Sequence, residues 1–213
     1  DLRVPRLRRE DPRVARSRAA ALAAARTCFL RDGYAATTME DIAAAGGLTR
    51  RTLYNNYRDK AALFLEMVEE AVAFAEAFAR ELPEAFAGIT SSDVERRLDD
   101  LGVRLARGIV RAEVVALRRM LIGDSRAFPR IARRYFDRAP VQVLRALESG
   151  FAALTRRRLL RASDAASAAA QFAYLVAGAP LDRALMTGTL PPRRLVDATA
   201  RDGVATFLAR YMV

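Results

Sequence analysis

The sequence has no histidine and no tryptophan, and Cys28 is its only cysteine. Imidazole acid–base catalysis, Ser–His–Asp triads and His/Cys zinc sites therefore have no side chains to form them, and an internal disulfide framework is excluded. Glycine (11) and proline (8) are scarce among 213 residues, which disfavours collagen-like repeats and disordered linkers. These absences exclude many classes of enzyme and leave a compact globular chain of one or two domains.

Lysine is almost absent as well, since Lys60 is the only one among 36 basic residues, which face 25 acidic residues. The formal net charge is +11, and residues 1–60 carry +6 of it. A charge of this sign predicts an anionic partner, although a GC-rich genome explains arginine-rich composition equally well. The charge alone is therefore weak evidence for nucleic-acid binding.

Long hydrophobic runs are also missing. No apolar stretch reaches the roughly 18–20 residues that span a bilayer, and the basic start leads into no signal-peptide core. We therefore expect a cytoplasmic protein.

The sequence predicts an all-α protein of about nine helices, because Ala, Leu, Arg and Glu dominate and no segment alternates like a strand. The first helix is expected to begin with Asp11 as its cap and to end at Gly33. A short second helix opens with a capping box in one of two registers, Thr37 to Glu40 or Thr38 to Asp41. It stops at Gly46-Gly47.

Later helix boundaries follow from the same signals. Thr49 is expected to cap a short third helix, and Asp59 a long amphipathic helix that runs towards Leu82-Pro83. A capping box from Ser92 to Glu95 predicts the next helix. Further predicted features are a helix near 112–123, a helix from Phe128 through Phe151 kinked at Pro140, a helix capped by Ser163 that ends near Gly188, and a last helix over 191–211.

Two short helices around Ala45-Gly46-Gly47-Leu48, after a longer helix, are typical of a three-helix helix-turn-helix unit. Glycine permits the positive φ of the turn, and Ile42, Leu48 and Leu53 are expected to close a small core. No acidic residue occurs between Asp41 and Asp59, so nothing there repels phosphate. The second short helix is therefore the candidate for the DNA major groove.

Several polar side chains on this helix suit DNA. The guanidinium groups of Arg50 and Arg51 match guanine O6 and N7, and Thr49 or Thr52 can meet a thymine methyl group or a phosphate. The alternative for the two arginines is a solvated helix face. Tyr54, Asn56 and Lys60 suit phosphate oxygens, and the alternative for Tyr54 is a half-buried core ring with its hydroxyl in water.

The run from Arg31 to Lys60 resembles the DNA-binding domain of TetR-family transcriptional regulators. It contains Gly33-Tyr34, Thr37-Thr38, Ile42-Ala43, Ala45-Gly46, Thr52-Leu53-Tyr54 and the closing Lys60, each at the family's spacing. The resemblance implies that Thr38, Tyr54 and Lys60 contact phosphates and that Thr49, Arg50, Arg51 and Asn55 read bases. Arg51 stands where the family usually has a small residue, and Asn56 where it often has histidine.

The C-terminal part is similar to the AefR-type ligand domain of the same family in residues 119–124 and at Phe128-Pro129. Asp124 and Gly123 depart from that pattern, which usually has Glu and Ala. The resemblance implies an effector-binding and homodimerisation domain in which residues 163–187 and 191–211 form a four-helix bundle with their copies. The expected organisation is a basic arm (1–12), a helix-turn-helix domain (13–60) and an effector-binding and dimerisation domain (61–213).

An effector pocket between the middle helices is expected to be lined by bulky apolar side chains. A lining rich in aromatic residues and methionine suits an apolar or planar small molecule, although each candidate is also compatible with plain core packing. The candidates are Leu105, Met120, Phe136, Phe151 and Phe172. No cofactor, metal ligand or catalytic residue is predicted, and Cys28 is interpreted as a small core residue.

These features predict a sequence-specific DNA-binding regulator, a dimeric repressor that a small-molecule ligand releases from a palindromic operator. One alternative is an effector-independent architectural DNA-binding protein, which the same basic N-terminal half would serve. A helical enzyme with a coincidental motif is the other alternative, but the lack of histidine and of a phosphate loop argues against it. Whether the N-terminal arm contacts DNA stays open.

Overall fold

The computed structural model describes residues 12–124 and 126–213, and these residues form ten α-helices and no strand. The all-α prediction is therefore confirmed. The predicted basic arm and the cap at Asp11 lie, apart from Pro12, outside the described residues. In chain order the helices are α1 (Pro12–Asp32), α2 (Met39–Ala45), α3 (Arg50–Asn56), α4 (Lys60–Ala87), α5 (Val94–Ile109), α6 (Ala112–Gly123), α7 (Pro129–Arg138), α8 (Pro140–Arg156), α9 (Ala165–Thr187) and α10 (Arg193–Tyr211).

The count exceeds the expected nine because the helix predicted from Phe128 to Phe151 is two helices. Ala139, the residue before Pro140, has φ −110° and ψ −80°, outside the helical region. Proline disfavours helical backbone in the residue before it, so Pro140 begins a new helix instead of kinking one. Among the described residues, no helix is both long and apolar enough to cross a membrane.

The chain divides into two compact units between Met67 and Val68, within α4. The boundary lies later than the expected residue 60 because the first turns of α4 belong to the N-terminal core. Phe64 on α4 is fully buried, with its ring centroid 6.2 Å from that of Phe29 and 5.4 Å from that of Tyr34. The N-terminal unit therefore consists of α1, α2, α3 and the start of α4.

The cap of α2 adopts the Thr38 to Asp41 register. The Thr38 side chain accepts a hydrogen bond from the Asp41 backbone N–H at 3.1 Å, and Asp41 Oδ2 accepts one from the Thr38 N–H at 2.9 Å. The alternative register is wrong because Thr37 is buried and its hydroxyl donates to the Gly33 carbonyl at 2.8 Å. The predicted caps at Thr49 and Asp59 are confirmed by bonds from the Thr52 and Ala62 backbone N–H groups.

Three predicted boundaries are wrong: the end of α4, the start of α5 and the cap of α9. Helix α4 continues through Pro83 to Ala87, because Leu82 and Phe86 are both buried and their packing offsets the hydrogen bond that proline removes. Helix α5 is preceded by Asp93, whose carboxylate accepts bonds from Thr90, instead of by a box from Ser92 to Glu95.

Asp164, not Ser163, caps α9, because its carboxylate accepts the Ser167 backbone N–H at 3.0 Å. The helix ends at Gly188, as predicted, and this glycine has φ +72°.

The C-terminal unit has an aromatic core among α4, α8, α9 and α10. The ring of Phe151 lies 5.4 Å from Phe86, 5.3 Å from Phe172 and 4.9 Å from Phe207, and Phe207 lies 4.7 Å from Tyr211. Edge-to-face and tilted rings at these distances add to the energy of burial. The core thus holds α8, α9 and α10 as one packed group.

Candidate nucleic-acid interface and ligand cavity

The turn between α2 and α3 has the geometry of a helix-turn-helix. Gly47 has φ +61°, a conformation that side chains with a Cβ rarely adopt. At Gly46 a Cβ would lie 3.2 Å from the Cβ of Ala24, so the turn packs closely on α1. Ile42 and Leu53 are fully buried beneath it. These contacts determine how α3 projects from α1.

The predicted base-reading residues share the exposed side of α3. Arg50, Arg51 and Asn55 are exposed, whereas Leu53 between them points into the core. Thr49 is also exposed, but its hydroxyl caps the helix and lies 2.8 Å from that of Thr52. The helix therefore presents a polar face with two guanidinium groups and one amide to solvent.

Arg50 forms an ion pair with Glu40 of α2, with 2.5 Å between Nη2 and Oε1. Both partners are exposed, at 70% and 46% of their side-chain surface. An exposed pair of this kind is worth little in stability, so Arg50 can exchange Glu40 for another acceptor. Sequence reasoning did not find this pair, because the angle between α2 and α3 determines it.

Three of the predicted phosphate contacts have internal partners. The Thr38 hydroxyl donates to Asp41 Oδ2 at 2.6 Å, and the Asn56 amide donates to Ser17 Oγ at 2.9 Å and to the Thr52 carbonyl at 3.0 Å. The bonds from Thr38 lower the pKa of the Asp41 carboxyl, because they stabilise its charged form.

Lys60, the third of these residues, donates to three backbone carbonyls. They belong to Tyr34, Ala35 and Thr37, at 2.8, 3.1 and 2.8 Å, and the ammonium also lies 4.6 Å from the centroid of the Tyr34 ring. All three ammonium protons are thus engaged with the segment that joins α1 to α2. Tyr54, in contrast, is 45% exposed, so its ring lies at the surface of α3 and not in the core.

The C-terminal unit contains a cavity of about 200 Å³ among α4, α5, α6, α7, α8 and α9. Of the predicted lining residues, Leu105 and Phe136 line it. Met120, Phe151 and Phe172 do not line this cavity. Phe151 and Phe172 belong to the aromatic core, and Met120 is buried elsewhere on α6.

Aromatic rings form much of the cavity wall. They come from α4, α7 and α9, and none was among the predicted residues except Phe136. Their spacing along each helix is the same as that of core residues, so no sequence signal distinguishes them. The aromatic residues of the wall are Phe74, Phe78, Tyr135, Phe136 and Tyr174.

Arginines on α7 connect one wall of the cavity to another. Arg138 donates to Glu76 Oε1 at 2.9 Å and to Glu69 Oε2 at 2.9 Å, and Arg134 lies 2.8 Å from Glu69 Oε1. Both glutamates are on α4, whose residues Phe74 and Phe78 line the cavity. Helices α7 and α4 are therefore linked by charge at the edge of this space.

A reactive thiol and a metal cluster are the other kinds of site that the described part of the chain can be searched for. Cys28 is fully buried, and burial raises the pKa of its thiol, so the reactive thiolate is disfavoured. No group of three or more Cys, Asp or Glu side chains there can hold a metal ion.

The buried turn, the exposed polar helix and the helical second unit define a helix-turn-helix protein of the DNA-binding class. Residues 21–67 match the model of the tetR family of bacterial regulatory proteins, and residues 96–213 match that of the C-terminal domain of AefR-like transcriptional repressors. The second match alone covers more than half of the chain. The chain belongs to the TetR family of transcriptional regulators, which bind DNA.

Solved structures agree with this assignment. A TetR-family regulator from Mesorhizobium loti is 27% identical, covering 95% of this chain and 100% of its own, with a TM-score of 0.76. The flavonoid-responsive regulator FrrA is 27% identical over 93% and 98%, with a TM-score of 0.63. The complex of triclosan with SmeT, a multidrug efflux pump repressor of Stenotrophomonas maltophilia, shares the fold at 20% identity over 92% of each chain, with a TM-score of 0.64. No curated protein sequence matches this chain significantly.

Proposed function

We propose that this regulator is a homodimeric repressor whose two α3 helices enter successive major grooves of a palindromic operator and which a small molecule releases. The half-sites then lie about one helical turn apart or slightly more. The exposed polar face of α3, held by the Gly46-Gly47 turn, carries this proposal. Three features support it: this polar face of α3, which we call the DNA face, the apolar surface of α9 and α10, and the cavity.

On the DNA face, Arg50, Arg51, Asn55 and Thr49 read base edges. Arg51 is exposed, as Arg50 is, but has no acidic partner among the described residues, so it is the readier of the two to bind guanine. Thr49 first serves the helix as its cap, so its methyl group is the part that is free to meet a thymine. These contacts supply sequence preference.

The phosphate contacts fix the protein on the duplex. Tyr54 extends its hydroxyl from the same helix and is the direct contact of this set. The other three residues of the set act mainly through internal hydrogen bonds. These bonds hold the ends of α2 and α3 and the start of α4 in place, and they are made by Thr38, Asn56 and Lys60. Lys60 adds a positive charge that favours DNA of any sequence.

Dimerisation is proposed through residues 163–187 and 191–211, which contain α9 and α10. These helices expose large apolar side chains, including Tyr174 (74% exposed), Met186 (79%) and Leu195 (41%). Apolar surface on neighbouring helices is buried favourably by a second copy of the same surface. Two copies would then present two α3 helices to a two-fold symmetric site.

Release by a ligand is proposed to act through α4. This helix lines the cavity with Phe74 and Phe78, and the same helix begins beside α3 with Lys60. The regulator is proposed to exist in two states that differ in the position of α4. A ligand that displaces α7 changes the ion pairs of Arg138 with Glu69 and Glu76 and so favours one of these states. Such a ligand must bind the two states with different affinity, typically by 1–3 kcal/mol of coupling.

The cavity favours this function over that of an effector-independent architectural protein, because a non-specific DNA binder has no need of an apolar cavity. The two differ in their DNA selectivity.

Selection of random-sequence duplexes on the purified protein tests the proposal. The selected duplex is then compared with a scrambled duplex of the same length across a salt titration. We expect a palindrome and a strong preference for it at moderate salt. Failure to enrich any sequence, together with steep salt dependence on every duplex, would contradict the proposal and support the architectural alternative.

A further inference from the structure

The polar groups of the cavity lining are unbalanced in charge. Among the described residues, two arginines, Arg104 and Arg118, line the cavity, and no aspartate or glutamate does. A positive group at an apolar wall attracts an anion more strongly than it would in water, because few water dipoles screen it there. The lining thus favours a ligand that carries a negative group.

The two arginines differ in whether an acidic side chain balances their charge. Arg104 Nη2 donates to Glu81 Oε2 at 2.5 Å, so its charge has a partner at the surface. Within the described part of the chain, Arg118 has no acidic partner. It is half-buried, and its Nε donates to the Tyr135 hydroxyl at 3.2 Å, while its two terminal nitrogens have no hydrogen-bond acceptor among the described residues.

Tyr135 completes a recognition pair with Arg118. Its hydroxyl accepts from Arg118 and is therefore oriented to donate its own proton to another acceptor. The ring is buried, with the Arg118 guanidinium 6.0 Å from its centroid, so both groups are held in place by packing. A carboxylate or phenolate oxygen can accept from both groups at once.

The size and walls of the cavity define the rest of the ligand. Its volume of about 200 Å³ is below the roughly 300–1,000 Å³ of pockets for drug-sized molecules, so a body of one or two rings fits. Phe74 and Phe78 line one side and Phe136 another, and aromatic walls favour planar aromatic bodies.

We propose that the effector of this cavity is a small aromatic anion, a carboxylate or a phenolate, whose charged oxygen is bound by Arg118 and Tyr135. This inference rests on the proposed function of the cavity as the effector site. It adds the chemical class of the ligand and the residue that selects it.

Matched pairs of aromatic acids and their neutral amides test the charge requirement on the unmodified protein. Calorimetric titration at neutral pH, without DNA, compares benzoate with benzamide, 2-naphthoate with 2-naphthamide, and 4-biphenylcarboxylate with its amide. We expect at least one acid to bind roughly 10-fold or more tightly than its amide, because a charge-assisted hydrogen bond is lost in the amide.

Variants then assign the preference to one arginine. Arg118→Gln should abolish the difference between acid and amide, whereas Arg104→Gln, on the same cavity, should preserve it. Arg118→Lys keeps the charge and should still prefer the acid. Circular dichroism melting curves of each variant show whether it folds, and the acid–amide comparison on the unmodified protein is informative even where a variant does not.

Three outcomes would overturn the inference: equal binding of acid and amide, a preference that survives Arg118→Gln, or no binding by any of the three pairs. None of them bears on operator binding, since the titration contains no DNA. An acid that binds through Arg118 but leaves operator affinity unchanged would instead contradict ligand release, while the ligand class would stand.

Discussion

Arg50 at the first position of α3 and Glu40 in the first turn of α2 form an ion pair across the helix-turn-helix, with 2.5 Å between Nη2 and Oε1. The pair joins a proposed base-reading arginine to a carboxylate on the same surface. In the proposed complex, DNA has to displace this carboxylate from Arg50. Glu40 is therefore expected to limit affinity for DNA.

Glu40→Gln should tighten binding to every duplex by about 3- to 10-fold at low salt, because it removes a negative charge near the phosphates and frees Arg50. Fluorescence anisotropy with labelled duplexes measures the change. Glu84→Gln, which alters an exposed carboxylate of α4 in the other unit, is the matched control and should have no effect. Weaker binding by Glu40→Gln would mean that Glu40 positions Arg50 for the bases instead.

Arg51→Ala should weaken binding to the selected operator by roughly 1–3 kcal/mol and relax preference at one position of each half-site, because a bidentate contact to guanine is lost. Arg58→Ala is the control, since Arg58 is also exposed and basic but lies beyond the C-terminus of α3. Repeating the duplex selection with each variant measures preference directly. Equal losses on operator and scrambled DNA would remove Arg51 from the base-reading group.

Lys60→Met should lower the stability of the N-terminal unit by about 1–3 kcal/mol, because three backbone carbonyls lose a charged hydrogen-bond donor. It should also weaken binding to all sequences, because one positive charge of the DNA-binding unit is lost. Urea denaturation followed by circular dichroism checks the stability.

Arg58→Met is the control for this change, since Arg58 is 90% exposed and should leave stability within about 0.5 kcal/mol. Unchanged stability of Lys60→Met would show that the carbonyl bonds contribute nothing.

Gly203→Ala should destabilise the packing of α9 against α10. A Cβ at this position would lie 2.5 Å from the Leu175 carbonyl oxygen, a backbone atom that cannot move aside alone. We expect a loss of about 1–3 kcal/mol in the free energy of unfolding, measured by urea denaturation. Gly178→Ala, on α9, meets only the Tyr174 ring at 3.9 Å and should be neutral or stabilising by about 0.5–1 kcal/mol. A loss of equal size in both variants would count against the close approach as the cause.

Asp197 makes the stability of the C-terminal unit depend on pH. Arg107 donates to both of its carboxylate oxygens at 2.6 Å, and these bonds hold the pKa of Asp197 below its ordinary value. A carboxyl with a lowered folded-state pKa contributes stability above its unfolded pKa of about 3.9, and this is lost as pH falls through the lower folded value.

Asp197→Asn should therefore reduce stability near neutral pH and lose less on acidification from about pH 5 to pH 2 than the unmodified protein. Denaturation curves recorded across that range provide the test. Asp202→Asn, which alters an exposed carboxylate of the same helix, should follow the unmodified protein. Parallel curves for Asp197→Asn and the unmodified protein would exclude the pair as a source of pH dependence.

Local signals determined where the helices and the turn of the helix-turn-helix lie along the chain. Gly47 takes a positive φ, Thr49 and Asp59 cap their helices, and the alternation of Leu53 with exposed arginines follows from helix geometry. Each of these depends on neighbours within a few residues, so the order of residues is sufficient to predict it. The family assignment followed from the same run of residues and is confirmed by the match over 21–67.

Only the tertiary structure decided which side chains meet across helices. Phe136 and Phe151 look alike in the sequence, yet Phe136 lines the cavity and Phe151 lies in the aromatic core, because α7 and α8 separate at Ala139. The contact of Arg118 with Tyr135 depends in the same way on how α6 and α7 pack. Helix propensity and capping act over a few residues, whereas the crossing of helices depends on side chains far apart in the chain, and so does the chemistry of the cavity.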